Sequence, residues 1–301
     1  MPILKVIILA IVQGLAELLP VSSSAHVVVA EKLMHLDPTS PEMTLLLVML
    51  HTGTMFAVIV YFWRRWSLAY FRTAEAFKGA VIRIIVATLL TAVIGYPIIK
   101  VIEKTLGKGV GKAEIEQLFG RLDLIAIALF CAGVLILIAG LARREREVVV
   151  VSHELDRRGD GGPAMTLGQA GLIGGVQGLC LPFRGFSRSG ATISAGMLGG
   201  VARETAETFS FALAVVLTPA VLGREALRLL HASHDAAAAG TPLDLKGSVI
   251  TSLLGAVFSF VAGLVALKWL SAWLEAGRWW LFGVYCIVAS AVVYYLFTLG
   301  Y

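Results

Sequence analysis

Charge is scarce in this chain. Asp, Glu, Lys and Arg together make up 15% of its 301 residues, while 58% are hydrophobic. Soluble domains carry about 25% charged residues. A water-exposed globule is therefore excluded and an integral membrane protein is indicated, in agreement with a mean hydropathy of +0.85. Cysteine is rarer still. Cys131, Cys180 and Cys286 are odd in number and far apart in apolar runs, which excludes a disulfide framework and a cysteine metal site. The net charge of +5 is modest and concentrated in loops, so it points to orientation and lipid contact, with no nucleic-acid partner. The N-terminal MPILKVIILAIVQG lacks a small-residue cleavage site, and Glu17 and Pro20 interrupt the residues after it. It is expected to stay in the mature protein.

Long apolar runs dominate what is present, and two of them are broken. Ile3 to Leu19 is apolar but contains Gln13 and Glu17; it breaks at Pro20-Val21-Ser22-Ser23-Ser24-Ala25-His26 and resumes from Val27 to about Leu33. Each half is shorter than the roughly 20 residues a helix needs to cross a bilayer. Two half-helices around a Pro/Ser break predict a re-entrant hairpin, tolerated at depth only where protein or a water-filled cavity satisfies the backbone. Three spans come next, Met43 to Trp63, Ala80 to Val101 and Leu122 to Leu141, and then a charged, Gly-rich loop from Ala142 to Pro163. The order then repeats: a short Gly-rich piece from Met165 to Leu181, a break over Pro182 to Gly190, a piece to about Val201, and spans Thr208 to Leu229, Ser248 to Leu270 and Trp279 to Leu299. Gln13-Gly14-Leu15 before Pro20 and a Ser cluster is echoed by Gln177-Gly178-Leu179 before Pro182 and a Ser cluster.

The expected fold is thus an all-α integral membrane protein, with six transmembrane helices and two re-entrant helical hairpins in an inverted-topology repeat. Residues 1–150 form the first repeat, with its hairpin at about 3–34; residues 151–301 form the second, with its hairpin at about 165–201. In such repeats the broken elements of both halves meet near the midplane and make the site. Basic loops around Arg64, Arg65, Arg72, Arg143, Arg144 and Arg146 favour an orientation with both termini outside. Trp269, Trp273, Trp279 and Trp280 are expected as interfacial anchors.

The second break carries Arg184, Ser187, Arg188, Ser189 and Thr192, framed by Gly185 and Gly190. An arginine at membrane depth is costly and functional by default. Glycines let the backbone approach an anion, hydroxyls donate to it, and a guanidinium forks onto two oxygens. A helix restarting at about Ser189 adds its N-terminal N–H groups. The expectation is a phosphate cradle inside the bilayer. In the first hairpin Gln13 and Glu17 are four apart and share a helix face, with Ser22, Ser23 and His26 following. Glu17 can hold a divalent cation or act as acid or base, and Ser or His can be a nucleophile. Ser24 is read as helix glue. His51 is read as a helix-packing histidine, with lining of the site as the other option, and Glu31 and Lys32 as interfacial residues. A metal and nucleophile on one hairpin facing an anion clamp on the other is a plan for phosphoryl transfer. A site in the bilayer further implies that the phosphate or pyrophosphate carries a lipid tail.

At these two stretches the sequence resembles the undecaprenyl-diphosphate phosphatase family, also called the bacitracin-resistance family. QGLAELLPVSSSAH is close to its first signature: an acidic or Gln residue, three residues, Glu, then PVSS and a nearby His. GFSRSGATISAG matches the second, which typically reads PG-x-SRSGAT. The resemblance implies a hydrolase in the bacterial inner membrane that converts undecaprenyl diphosphate to the monophosphate and phosphate, recycling the carrier lipid for peptidoglycan synthesis. It also implies a divalent cation (Mg2+ or Ca2+) at Glu17 and a site open to the periplasm. By position Glu17, Ser22, Ser23 and His26 match the first motif's functional residues, Gln13 fills its leading position, and Ser187, Arg188 and Thr192 match the second. Family proposals differ on whether a Ser or the His attacks phosphorus; Ser23 as nucleophile with His26 as base is favoured here, and direct attack by His26 stays open. One departure is Arg184, which stands where the family usually has Pro; it is either a second phosphate contact or an interfacial residue. A homodimer is compatible with the hydrophobic spans. The competing class is a transporter or flippase for an anionic or lipid-linked substrate, which needs the arginine clamp but no nucleophile and base.

Overall fold

The computed structural model describes residues 2–37, 40–106, 120–150, 165–238, 245–274 and 278–301. They form ten helices, with no strand among the described residues: α1 (Ile3–Leu18), α2 (Ser23–Leu33), α3 (Pro41–Tyr70), α4 (Ala74–Leu106), α5 (Leu122–Val150), α6 (Leu167–Cys180), α7 (Arg188–Leu198), α8 (Arg203–Ala238), α9 (Leu245–Leu274) and α10 (Trp279–Thr298). Among the described residues five stretches are long and apolar enough to cross a membrane: Glu42–Tyr70, Ala74–Ile102, Leu122–Ala142, Lys246–Lys268 and Trp279–Thr298. The expected span Thr208 to Leu229 is helical within α8 but stands outside these five. Its helix holds Pro219 in its interior and Arg224, Glu225 and Arg228 toward one end.

Local chemistry sets the ends. Ser40 caps α3 by accepting from the Met43 N–H at 3.3 Å, with Pro41 in the first turn. Thr166 and Gln169 close a capping box on α6. α1 stops ahead of Pro20, whose ring disfavours a helical residue before it; Leu19 is extended at ψ 145°. Several helices overrun the apolar windows. α3 continues through Arg64, Arg65 and Trp66, α5 through Arg143–Val150, and α8 to Ala238. Arg, Glu and Ala are good helix formers and extend a helix that the bilayer has already nucleated. The loop expected between the halves, Ala142 to Pro163, is instead helical as far as Val150, the end of α5; residues 151–164 lie outside the described residues.

Close helix contacts are made by small residues, which suits a medium without a hydrophobic drive between helices. A Cβ on Gly14 would lie 2.5 Å from Ala262 Cβ, so α1 sits directly on α9; one on Gly178 would lie 2.8 Å from the Thr91 carbonyl oxygen, so α6 sits on α4. Gly14 and Gly178 are the glycines of the two echoed Gln-Gly-Leu stretches. α5 packs along α10 and α3 along α9. Trp279, expected at the interface, is instead in the core at 3% exposure. Its indole Nε1 donates to Ser194 Oγ at 3.1 Å, which satisfies the one polar atom of a side chain otherwise suited to burial. The side chains of Trp269 and Trp273 lie outside the described residues.

Candidate active site

The two breaks share one backbone device. Ser22 (φ 66°, ψ 87°) and Ser187 (φ 49°, ψ 84°) are both left-handed, a costly setting for a residue with a side chain. Each serine caps the next helix. Ser22 Oγ accepts from the Ala25 N–H at 3.4 Å and Ser187 Oγ from the Gly190 N–H at 3.3 Å. The second helix starts at Arg188, one residue before the sequence expectation. Ser24 Oγ accepts from the Gly185 N–H at 3.3 Å and so ties the two hairpins together.

Glu17 is the hub. It is 7% exposed, and donors surround its carboxylate. Gln13 Nε2 donates to Oε2 at 2.8 Å, and the Ser23 hydroxyl donates to the same oxygen. Arg188 Nη2 donates to Oε1 at 2.8 Å, and His51 Nδ1 stands 3.2 Å from it. Gln13 and Glu17 come from α1, Ser23 from α2, His51 from α3 and Arg188 from α7. A cavity of about 190 Å³ opens beside them, lined by Gln13, Glu17, Ser23, Ser24, His51 and Arg184 among others. A hydroxyl held on a carboxylate, with a guanidinium on that carboxylate's other oxygen, is equipped for nucleophilic attack on an anionic centre.

Not every expected residue arrives there. His26 lies three residues beyond Ser23 but turns away. Its Nδ1 is 2.8 Å from the Ser22 carbonyl oxygen, and its Nε2 is 2.7 Å from the Tyr285 hydroxyl. A carbonyl only accepts, so Nδ1 carries the proton and Nε2 accepts from Tyr285. The group receiving the Ser23 hydrogen bond is Glu17, not His26. Ser187 is the cap of α7. Ser189 is buried at 7% exposure and does not line the cavity. Thr192 is fully buried; its hydroxyl donates to the Arg188 carbonyl at 2.7 Å and pairs with Ser210 Oγ at 2.6 Å, binding α7 to α8. Ser22 Oγ lies 3.2 Å from Ser24 Oγ within the first break. Glu31, expected at the interface, is 0% exposed.

A family model described as bacitracin resistance protein BacA matches residues 6–292. The chain is 55% identical over 293 residues to undecaprenyl-diphosphatase 2 of Acinetobacter baylyi, covering 97% of each chain. It is 33% identical over 308 residues to an undecaprenyl-diphosphatase of Acidiphilium cryptum, covering 98% of each. A relative of the same name in Rhodopirellula baltica is 32% identical over 292 residues, covering 97% of this chain and 96% of its own. The chain belongs to the BacA family. Of the residues that the BacA resemblance implies, Gln13, Glu17, Ser23 and Arg188 meet in one hydrogen-bonded cluster. His51 joins them without belonging to either motif.

The resemblance to BacA also implies a divalent cation. Among the described residues no group of three or more His, Cys, Asp or Glu side chains is placed to hold a metal. The donors at Glu17 are one carboxylate with the Gln13 amide and the Ser23 hydroxyl. Their oxygens are hard ligands of the kind Mg2+ and Ca2+ take, and they would fit such an ion with the Gln13 amide turned over, since its NH2 faces Glu17 in this structure.

Proposed function

We infer that this chain hydrolyses undecaprenyl diphosphate to undecaprenyl phosphate and inorganic phosphate, returning the carrier lipid to peptidoglycan synthesis and conferring bacitracin resistance. The observation that carries the mechanism is the Ser23 hydroxyl donating to the Glu17 carboxylate, whose other oxygen takes Arg188. A carrier of the same lipid would use the arginine and leave that hydroxyl without a task.

In the proposed reaction Ser23 Oγ attacks the distal phosphorus and its proton passes to Glu17. The bridging P–O bond breaks and undecaprenyl phosphate leaves as an anion, with the phosphoryl group on Ser23. Water then attacks phosphorus and the P–O bond to Ser23 breaks; Glu17 returns its proton to the departing Ser23 oxygen, and both protons of the water leave with inorganic phosphate. Arg188 neutralises the charge spread over the equatorial oxygens. Glu17, with Gln13 and Ser23, would hold a divalent cation, which would supply further charge neutralisation. His26 has a positioning role. Its Nδ1–H on the Ser22 carbonyl holds the left-handed break that aims Ser23 at Glu17.

The proposed architecture keeps six spans, with Thr208–Leu229 as the fourth, around two re-entrant hairpins. Residues 1–150 and 151–301 are its inverted repeats. Supporting observations are the paired left-handed serine caps at Ser22 and Ser187 and the exchange of partners, α1 on α9 against α6 on α4. The protein would lie in the bacterial inner membrane with both termini periplasmic, and a homodimer is compatible with its lipid-facing spans. Phosphate release from undecaprenyl diphosphate by the detergent-purified protein tests the activity. The expected result is one phosphate per lipid, stopping at the monophosphate. Lipid binding without release, from folded protein, would support the carrier instead.

A further inference from the structure

The two breaks carry the same left-handed serine but close it differently. After Ser187, the Ala191 N–H donates to the serine carbonyl at 2.8 Å, an ordinary main-chain bond. After Ser22 the equivalent donor, the His26 N–H, stands 3.4 Å from its carbonyl. There the His26 side chain makes the short contact instead, with Nδ1 at 2.8 Å. Ala191 and His26 occupy the same place, four residues after each serine. The break that carries Ser23 is thus held by a side chain, and its geometry is only as firm as that ring.

The hold on the ring comes from the other half of the chain. Tyr285 on α10 donates its hydroxyl to Nε2 at 2.7 Å, and the two rings lie nearly parallel at 11°, with centroids 5.7 Å apart. The next residue of α10, Cys286, donates its thiol to the Pro20 carbonyl oxygen at 3.5 Å. α10 therefore touches the first break on both sides of Ser22, at Pro20 and at His26. It is a firm support. A Cβ on Gly283 would lie 2.6 Å from the Leu137 nitrogen and 2.7 Å from the Gly133 carbonyl oxygen, so α10 is locked against α5 two residues from Tyr285.

Packing alone does not fix the ring. An apolar cavity of about 270 Å³ lies between α2 and α10, lined by Ala25, Val29, Val288 and Val292 among others, with His26 and Tyr285 in its wall. A ring beside such space can turn about its Cβ–Cγ bond unless both nitrogens are engaged. The bond made by one ring nitrogen also sets the proton on the other. The Tyr285 hydroxyl on Nε2 leaves the proton on Nδ1, where the Ser22 carbonyl takes it.

We propose that Tyr285 is a positioning residue for the reaction: its hydroxyl holds His26 as the Nδ1–H tautomer on the Ser22 carbonyl, and so fixes the break that presents Ser23 to Glu17. The proposal rests on the reading of Ser23 as the nucleophile. Tyr285 does not line the cavity beside Glu17, so it acts on the rate through His26 and leaves diphosphate binding unaltered.

Tyr285→Phe is the test, since it keeps the ring and its packing and removes one hydroxyl. It should lower kcat for phosphate release by about three- to tenfold, the scale of one hydrogen bond, with KM within about twofold of wild type. In a His26→Asn background the same substitution should cost nothing further, because Tyr285 acts through Nε2 and Asn has none. Nitrogen NMR of protein carrying isotope-labelled histidine reads the ring directly, with the His26 signals identified by their absence from His26→Asn. Wild type should show Nδ1 protonated and Nε2 bare, and Tyr285→Phe should show both tautomers. Unchanged kcat in Tyr285→Phe, a raised KM, or an equal loss in the His26→Asn background would overturn the proposal, as would a protonated Nε2 with bare Nδ1 in wild type. Absence of phosphate release from folded wild type would instead count against the proposed activity, and complete loss of turnover in His26→Asn against Ser23 as nucleophile; in both cases the tautomers would still judge the hold of Tyr285 on His26.

Discussion

Replacing Glu17 by Gln keeps the size of the side chain and removes its charge. The carboxylate now accepts from Gln13 and Ser23 on one oxygen and Arg188 on the other, with His51 beside it. An amide offers one oxygen and one NH2 group, so one pair of donors must face a donor. If the NH2 turns to Arg188, a buried ion pair is replaced by a donor clash. Losing one partner of a buried pair costs about 3–5 kcal/mol. The Arg188 side chain is 22% exposed, which places the cost at the lower end, about 3 kcal/mol. That lies within the 5–15 kcal/mol over which domains are stable, so folded protein should be recoverable. The chemical loss is larger. Removing a general base lowers kcat by about 10²–10⁴-fold, and the cation dependence should weaken with it. The assay is phosphate release at saturating undecaprenyl diphosphate across a cation titration, on protein shown to be folded by its melting curve. A kcat within about threefold of wild type would refute the role of Glu17 as proton acceptor, and an unchanged cation titration would refute its role as metal ligand.

Arg188→Ala should abolish hydrolysis and also lower the melting temperature, because Glu17 is left buried without its partner; Arg188→Lys should recover stability more than turnover, since Lys cannot fork onto two oxygens. Near-normal turnover in Arg188→Ala would sink the clamp. Thr192→Val should cost about 1–3 kcal/mol of stability through the orphaned Ser210 hydroxyl and leave KM of the folded protein unchanged; a raised KM would bring Thr192 back to the substrate. His26→Asn should keep more activity than His26→Gln, since Asn places its NH2 near the position of Nδ1 and Gln near that of Nε2. The reverse order would move His26 from holding the break to direct chemistry.

The apolar runs and the Pro/Ser breaks were legible because bilayer length and backbone satisfaction leave few options. Ile3–Leu18 and Leu167–Cys180 lie within two residues of the expected ends. Helix overruns such as Trp63 to Tyr70 were not legible, because hydropathy falls at the interface while helix propensity does not. At the site, Gln13 and Glu17 followed from i, i+4 spacing, and Arg188 from the cost of a charge at depth. His51 was discounted because a lone histidine in an apolar helix is ordinary packing; only the docking of α3 on α1 brings it to Glu17. Thr192 misled in the opposite way. It neighbours Arg188 in sequence, yet four residues on a helix return its hydroxyl to the Arg188 carbonyl. The spacing of Ser23 and His26 suggested a nucleophile and its base. The ring swings back toward the helix N-terminus, as helical side chains do, and lands on the Ser22 carbonyl.

The most direct test of the Ser23–Glu17–Arg188 centre is phosphate release from undecaprenyl diphosphate by wild type and Ser23→Ala, side by side in detergent and matched for folding. Wild type should release phosphate, and Ser23→Ala should release none above background while still binding inorganic pyrophosphate. Turnover by folded Ser23→Ala at the wild-type rate would contradict the account and pass the attack on phosphorus to another group.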